Sequence, residues 1–298
     1  MPGRALTLPA QLITRFDHAV VAVRDLDSAI ASYRTLGFDV TRGGRHLGRG
    51  THNAIIRFGL DYIELISIYD ASEALAQGAR GEVLTGFLQD HTGGWLGYCL
   101  ASSAIEDETR RFEGTPLHHP PFAMQRARPD GHVLSWRLLV PGGVAWRRPW
   151  PFLIQWDESD SERLTRERPG THPNGARRVV RLSILTNSLA DTAALYDERL
   201  ALERTNDRGP MQDGPQAAWK IAGVVIEVMQ PVGGPTQAAF AEAGEGLYEI
   251  SVGVVDLERA WHVLTTAGVT SQEHRGRLVI PSEAALGGTR STRSCVIP

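Results

Sequence analysis

Two polar side chains stand inside apolar, strand-forming runs near the start of the chain. His18 lies in the run FDHAVVAV (16–23), and Glu64 lies in the run LDYIELISI (60–68). Alternate residues of a strand share one face, which places Glu64 between apolar neighbours. A carboxylate is rarely left unpaired in such surroundings. Imidazole and carboxylate together can transfer a proton, and both groups can also bind a transition metal.

The segments between these residues predict one compact unit. Asp25 is placed to cap a helix in LDSAIASYRTLGF, and Gly37 is placed to end it. A glycine-rich turn and a second strand follow in HLGRGTHNAIIRFG. His52 and Asn53 begin this strand and are expected to face the same concave surface as His18. The unit is therefore a strand, a helix and two or three further strands.

The rest of the chain resembles three worn copies of this unit. The copies begin at WLGYCLASSAIEDETRRFEG, VVRLSILTNSLADTAALYDERLALE and GLYEISVGVVDLERAWHVLTTAGV. Residues 158–177 are polar and rich in Pro and Gly, without an apolar period. We predict an α+β fold of four βαβββ modules paired into two sheets with flanking helices. The expected domains are residues 14–160 and 178–298, and residues 161–177 are the expected linker.

The pattern D-H-x-V-x-x-V-x-D-L, a helix ending in L-G-F, then G-T-x-N-A and Y-I-E-L-I resembles the vicinal-oxygen-chelate superfamily. This superfamily contains glyoxalase I, the bleomycin-resistance proteins and the extradiol dioxygenases. Residues 16–157 most resemble the glyoxalase-like domain of many bacterial proteins. The resemblance implies that paired modules form a cup with a divalent metal at its base, held by the first and last strands of each module. It also implies a homodimer.

The resemblance can be carried over position by position. His18 and Glu64 match the ligand positions of the first module, whereas the second module offers Gly97, which has no donor, and Gln155. The implied metal site is His18, Glu64 and Gln155, with Zn, Fe, Mn or Ni as the ion. Three protein ligands and water suffice for a catalytic zinc. His52 is an alternative fourth donor.

The corresponding positions of the second half contain no histidine. They are Arg181, Glu227, Glu249 and a residue near Thr292. Arginine beside two glutamates favours ion pairs over a metal, because the guanidinium competes for the same carboxylates. We therefore expect a polar cluster in a degenerate cup, with a structural role.

A predicted hairpin in the second module carries Arg126, Arg128 and Trp136, which could contact an anionic or planar substrate. Together with His52 and Asn53 they form the expected substrate-binding set. Five tryptophans fall in or near the second module and would suit stacking on an aromatic ligand: Trp95, Trp136, Trp146, Trp150 and Trp156.

The overall composition argues against nucleic acid and membranes as binding partners. The 298 residues carry a net charge of −3, so no basic face is expected to attract nucleic acid or an anionic membrane. Cys99 and Cys295 are too few and too far apart for a disulfide scaffold, and no apolar run has the length of a membrane span. A cytoplasmic protein with a small-molecule ligand is expected.

Three functional classes remain open from the sequence. The first is a metal-dependent lyase, isomerase or dioxygenase acting on a carbonyl- or oxygen-bearing molecule. The second is a metal-free protein that sequesters a small aromatic or amphiphilic compound, as the resistance proteins of the superfamily do. The third is a metal-free enzyme that uses His18 and Glu64 as an acid–base pair.

Overall fold

The strands that carry His18 and Glu64 lie side by side in a closed barrel. The computed structural model describes residues 11–209, 211–274, 276–281, 284–285 and 295–297. The barrel strands are β1 Ile13–Val23, β2 Thr41–His46, β3 Thr51–Arg57, β4 Tyr62–Ile68, β5 Gly93–Ser102, β6 Phe122–Ala127, β7 Val133–Leu139 and β8 Phe152–Trp156. Their order around the barrel is β1-β4-β3-β2-β6-β7-β8-β5.

The barrel consists of two βαβββ modules that close on each other at two seams. At one seam β1 pairs antiparallel with β5, and at the other β2 pairs with β6. Gly44 makes the second seam possible, because a Cβ at this position, where φ is +138°, would collide with the carbonyl oxygen of Ala127. The helices of this half are α1 Leu26–Thr35, α2 Ala71–Leu75, α3 Ala79–Asp90 and α4 Ile105–Arg111.

Strand β1 is buried on both faces, which explains its nearly continuous apolar sequence. Ala19 and Val21 point outward into a large core shared with α1. Val20 and Ala22 point into the barrel and pack in a separate interior cluster. His18 lies on the same side as Val20, so the alternation of the strand delivers the imidazole to the barrel interior.

The second half forms a second sheet of mixed strands. They are β9 Ala176–Leu185, β10 Glu203–Thr205, β11 Gln216–Ile221, β12 Val224–Met229, β13 Gly246–Val254, β14 Gln272–Glu273, β15 Leu278–Ile280 and β16 Cys295–Ile297, in the order β10-β11-β12-β9-β13-β16-β15-β14. The helical segments after the barrel are α5 Asp160–Arg166, α6 Leu189–Ala194 with a π-helical turn at Leu195–Arg199, α7 Gly234–Ala243 and α8 Leu257–Thr266.

Each half therefore repeats strand, helix and three strands twice, but the two sheets differ in closure. In the second sheet β10 and β14 stand at opposite ends, and no ladder joins them within the described residues. These strands are only 3 and 2 residues long, whereas β2 and β6 have 6 residues each. The second half, which was expected to be a degenerate cup, is thus an open sheet within the described residues, whereas the first half closes into a barrel.

The two halves share one hydrophobic core. Buried side chains of both sheets belong to a single cluster that includes Tyr98 and Tyr196. The hydroxyls of these two tyrosines contact each other, and both donate to the carbonyl oxygen of Pro149, at 3.2 and 2.9 Å. No helix among the described residues is long and apolar enough to cross a membrane.

The segment expected as the linker, residues 161–177, contains several buried polar side chains. Arg163 is fully buried, and Glu167, His172 and Asn174 are also buried. His172 accepts a hydrogen bond from the backbone N–H of Asp39 at 3.0 Å, so the segment is packed against the barrel module. Its polar side chains are paired with charged and backbone groups, which is why the sequence shows no apolar period there.

Candidate functional site

His18 lies at the base of the barrel interior and is held on three sides. Its ring stacks on Tyr62, with 4.6 Å between centroids, and meets the edge of Phe152 at 5.4 Å. Its Nδ1 lies 2.7 Å from Oδ1 of Asp17. Only 4% of the residue is exposed. The orientation of the imidazole is therefore set by packing and by a carboxylate.

Asp17 is adjacent in sequence to His18, and a bulge between Phe16 and His18 brings its carboxylate to the imidazole. The carboxylate is fully buried and also accepts hydrogen bonds from Arg15 at 2.7 Å and from Trp156 at 2.9 Å. Burial alone would raise its pKa, but Arg15 and the hydrogen bond from His18 hold the pKa of Asp17 well below its usual value. The ionised Asp17 only accepts, so Nδ1 of His18 carries hydrogen, and Nε2 is the nitrogen that is directed at Glu64.

Glu64 faces this nitrogen from the neighbouring strand β4. Its Oε2 lies 3.7 Å from Nε2 of His18. Its Oε1 accepts a hydrogen bond from the side-chain amide of Asn53 at 2.5 Å. The residue is 7% exposed. Asn53 thus fixes one carboxylate oxygen and leaves the other directed at His18.

His46 is a fourth member of the site that sequence reasoning missed. Its Nε2 lies 3.5 Å from Oε1 of Glu64 and 3.3 Å from the amide of Asn53, while its Nδ1 lies 2.9 Å from Oγ1 of Thr51. Burial lowers the pKa of His46 to about 4, so the ring is neutral at neutral pH. The signal was present in the hairpin register: His46 pairs with Thr51, which shares a face with Asn53 two residues on.

A cavity opens above these residues inside the barrel. The volume open to the centres of water-sized molecules is about 130 Å³, which is enough for a small organic molecule. Its wall is mainly apolar and aromatic and includes Ile66, Leu84, Phe122, Met124, Trp136, Leu138, Val140, Trp146, Phe152, Ile154 and Trp156. Arg49, Arg80 and Arg126 are its cationic members.

Residues 16–200 match the model of a family described as the glyoxalase-like domain. The chain belongs to the glyoxalase-like domain family. The match covers the barrel except for the first three residues of β1, together with the start of the second half, and it confirms the resemblance found in the sequence. A comparison with the sequences of curated proteins gives no match.

Solved structures show that the glyoxalase-like chain has a fold of the vicinal-oxygen-chelate type. A hypothetical protein from Staphylococcus aureus superposes with a TM-score of 0.65 at 15% identity, covering 95% of this chain and 98% of that one. A mutant of 4-hydroxymandelate synthase from Streptomyces coelicolor gives 0.63 at 11% identity, covering 96% and 92%. A fusion protein of a xylose isomerase-like TIM barrel and 4-hydroxyphenylpyruvate dioxygenase gives 0.56 at 13%, covering 100% and 50%.

Three of the expected substrate-binding residues lie at the glyoxalase-like site. Arg126 and Trp136 line the cavity, and Trp136 meets the edge of His46 with 6.2 Å between ring centroids. Asn53 holds Glu64. Trp146 and Trp156 also line the cavity, whereas Trp95 and Trp150 pack in or against the shared core.

The other two expected substrate-binding residues lie elsewhere. The His52 ring meets Tyr69 outside the cavity, because Thr51 and Asn53 take the inward face of β3. Arg128 pairs with Asp130 and lies 3.6 Å from Glu167.

Gln155 points away from the cavity and is hydrogen-bonded to the backbone N–H of Ile105 at 2.9 Å and to Arg137 at 3.0 Å. Its neighbours Ile154 and Trp156 are the inward residues of β8.

The donors present do not fit a resident divalent metal ion. His18 and His46 approach different oxygens of Glu64, at 3.7 and 3.5 Å. The amide nitrogen of Asn53, a hydrogen donor, lies between Glu64 and His46. No group of three or more His, Cys, Asp or Glu in the described parts of the chain is arranged to hold a metal. The expected set of His18, Glu64 and Gln155 is not assembled.

The corresponding place in the second sheet holds charged side chains. Glu227 and Glu249 are both paired in register with Ser183, one from each neighbouring strand. Arg181 lies 3.8 Å from Glu227, and Arg277 donates to Glu249 at 2.8 Å. The residue near Thr292 lies outside the described residues. The expected polar cluster of Arg181, Glu227 and Glu249 thus forms, although Arg181 pairs more closely with Asp207.

Proposed function

We propose that the barrel binds a small carbonyl- or other oxygen-bearing molecule with an apolar body, and that His18 moves a proton on it. The arrangement Asp17–His18–Glu64 at the base of an otherwise apolar cavity is the observation that carries this proposal. A buried imidazole with one nitrogen fixed by a carboxylate and the other free is arranged for general base catalysis.

The reaction class that suits these groups is proton transfer next to a carbonyl. Nε2 of His18 takes a proton from the carbon beside the carbonyl, and the electron pair moves to the carbonyl oxygen. Asp17 then stabilises the imidazolium, since its carboxylate already binds Nδ1. The positive charge of Arg126 at the cavity wall favours the enolate oxygen. Return of the proton to the same or the adjacent carbon completes an exchange or an isomerisation.

Glu64 has two roles in this scheme. Its carboxylate, 3.7 Å from Nε2 of His18, stabilises the same imidazolium from the cavity side. It can also carry the proton to the second carbon, because a carboxylate accepts and donates at neighbouring positions. Asn53 keeps it oriented, and the neutral His46 adds a polar contact without a competing charge.

Sequestration without chemistry is the second candidate function. The aromatic wall favours it, because Trp136 and Trp156 lie 5.0 Å apart and offer a surface for a planar ligand. A binding protein would need no free imidazole nitrogen at the base of its cavity. The orientation of His18 therefore favours the enzyme.

Deuterium exchange tests the proposal. Phenylacetone and phenylacetaldehyde, incubated with the protein in D₂O, should lose the proton NMR signals of the carbon beside the carbonyl. His18→Ala should slow this exchange by about 10²–10⁴-fold, the usual contribution of a general base. Arg181→Gln, the matched position in the second sheet, should leave it unchanged. Ligand-induced tryptophan quenching without any exchange would support sequestration instead.

Measuring the metal content of the purified protein completes this test. One equivalent of a divalent metal in gently purified protein, lost in His18→Ala, would replace this proposal with the metal-dependent lyase, isomerase or dioxygenase implied by the family resemblance. The homodimer implied by the same resemblance stays a prediction, which light scattering of the purified chain measures.

A further inference from the structure

Two arginines line the cavity at an aromatic patch. The guanidinium of Arg80 lies 4.0 Å from the ring centroid of Phe122, and that of Arg49 lies 5.5 Å from the same ring. Both side chains are half-buried. Arg49 comes from the turn before β3 and Arg80 from the first turn of α3, so two separate elements converge on one place.

Neither guanidinium has a carboxylate partner within the described chain. Arg49 donates to Oε1 of Gln77 and, at 3.4 Å, to the carbonyl oxygen of Ala123. Arg80 makes its contact with the ring of Phe122. Burial lowers the pKa of both arginines, and the charge of Arg49 adds to this effect on Arg80. Two like charges thus lie against the same Phe122 ring at the cavity wall, and neither has a carboxylate partner among the described residues.

The other buried arginines near the barrel behave differently. Arg57, Arg126 and Arg163 all bind the carboxylate of Glu167, within 3.2 Å. For these three arginines the protein itself supplies the counter-ion. Its absence beside Arg49 and Arg80 leaves room for an anion that comes with the ligand, because half-buried guanidinium groups gain most from a charge-assisted pair.

We infer that the cavity takes an anionic amphiphile, whose carboxylate, sulfonate or phosphate lies between Arg49 and Arg80 while its apolar body fills the barrel. This names the ligand class of the proposed function and rests on the same cavity, but it does not depend on proton transfer by His18. Gln77 acts as a positioning residue, since it binds Arg49 and is itself anchored to the carbonyl oxygen of Gly48 at 2.9 Å.

Matched charged and neutral ligands test this inference by calorimetry. We use 2-naphthoate against 2-naphthamide, and phenylacetate against phenylacetamide, so that only the charge differs within each pair. The protein should bind the carboxylate at least tenfold more tightly than the amide in one or both pairs. This preference should shrink with added salt, because the site is open to solvent ions.

Arginine variants show which residues cause the preference for the carboxylate ligand. Arg49→Gln with Arg80→Gln should abolish it, while the double Lys variant should retain part of it. Arg45→Gln is the matched control, because Arg45 has the same charge but lies 4.6 Å over Tyr69 outside the cavity. Melting temperatures of all variants identify any that fail to fold.

Equal affinity within both pairs, no binding of any of the four compounds, or a preference that survives the double Gln variant would each overturn the inference. Repeating the titration with His18→Ala separates it from the proposed function. A charge preference without any deuterium exchange would leave the inference standing and the catalytic proposal refuted. Exchange without a charge preference would do the reverse.

Discussion

The two halves of the chain have the same strand arrangement but place different side chains at the matching positions. In the barrel, Glu64 lies beside Val20 on β1, with His18 two residues away on the same face. In the second sheet, Glu227 lies in the same way beside Ser183 on β9, with Arg181 two residues away. The histidine faces a cavity, whereas the arginine at the matching place forms an ion pair with the glutamate.

This difference teaches that backbone register and chemistry are independent. Both halves place a carboxylate on the strand that runs parallel to the first strand of its module. Within the described residues the first sheet closes and the second does not, and apolar side chains of the barrel leave a cavity above Glu64. A site on this fold thus requires closure as well as the correct residues.

The largest expected effect separates a buried charge network from a surface pair. Glu167→Gln leaves Arg57, Arg126 and Arg163 beside the barrel without their shared carboxylate. We expect a loss of roughly 3–5 kcal/mol in the free energy of unfolding, measured by urea denaturation. Glu203→Gln, which removes an exposed pair with Lys220 in the second sheet, should cost no more than about 1 kcal/mol. Equal losses of unfolding free energy in the two variants would show that the buried network stabilises the fold no more than the exposed pair does.

His46 should make the barrel sensitive to acid. Its pKa falls from 6.5 to about 4 on folding. Between these two pH values the imidazole is therefore protonated in the unfolded chain and neutral in the folded chain. The corresponding stability is complete above pH 6.5 and is lost as the pH falls toward 4, by roughly 3 kcal/mol. His46→Asn should flatten this part of the profile of unfolding free energy against pH. An unchanged slope in the variant would contradict the prediction.

Glu227 should show the opposite sign in the second sheet. Burial raises its pKa above 4.5, against the opposing effects of the Gly209 N–H and of Arg181. Its contribution is complete below pH 4.5 and is lost as the pH rises through the raised pKa. Glu227→Gln should therefore gain stability relative to the parent chain with increasing pH. The same profile that tests His46 measures it, and parallel curves would refute the assignment.

The smallest expected effect concerns the helix N-caps, a feature that the two halves have in common. Asp25 caps α1 by accepting from the backbone N–H of Ser28 at 2.6 Å, and Asp256 caps α8 by accepting from Glu258 at 2.9 Å. Alanine at either position should cost about 1 kcal/mol of unfolding free energy. Asn at the same positions retains a capping oxygen and should cost nearly nothing. A clear difference between the two sites would mean that the second half does not share the stability of the first.

Much of the barrel could be predicted from the sequence because its signals are local. The cap at Asp25, the end of α1 before Gly37 and the alternation around Glu64 are each fixed by neighbours in the chain. His18 and Glu64 come together because β1 and β4 pair with Val20 beside Glu64, as the ligand positions implied by the family resemblance require. Family membership and overall fold followed from the same residues.

What failed depended on long-range structure. The side of β8 that faces inward is set by the barrel, and it places Gln155 outside and Trp156 inside. Arg163 and Glu167 are polar, so only their pairing with Arg57 and Arg126 reveals that they are buried. His46 belongs to the site through hydrogen bonds with Thr51 and Asn53, which no periodicity in its own strand indicates.

The tyrosine contact between the halves has a consequence for genetics. Because Tyr98 and Tyr196 share the carbonyl oxygen of Pro149 inside one core, a substitution in the second sheet changes the support of the barrel. A screen for altered turnover should recover such substitutions as reduced yield of active protein with normal activity per molecule. Changes in the rate itself should map to the first 157 residues, so the two kinds of mutant separate along the gene.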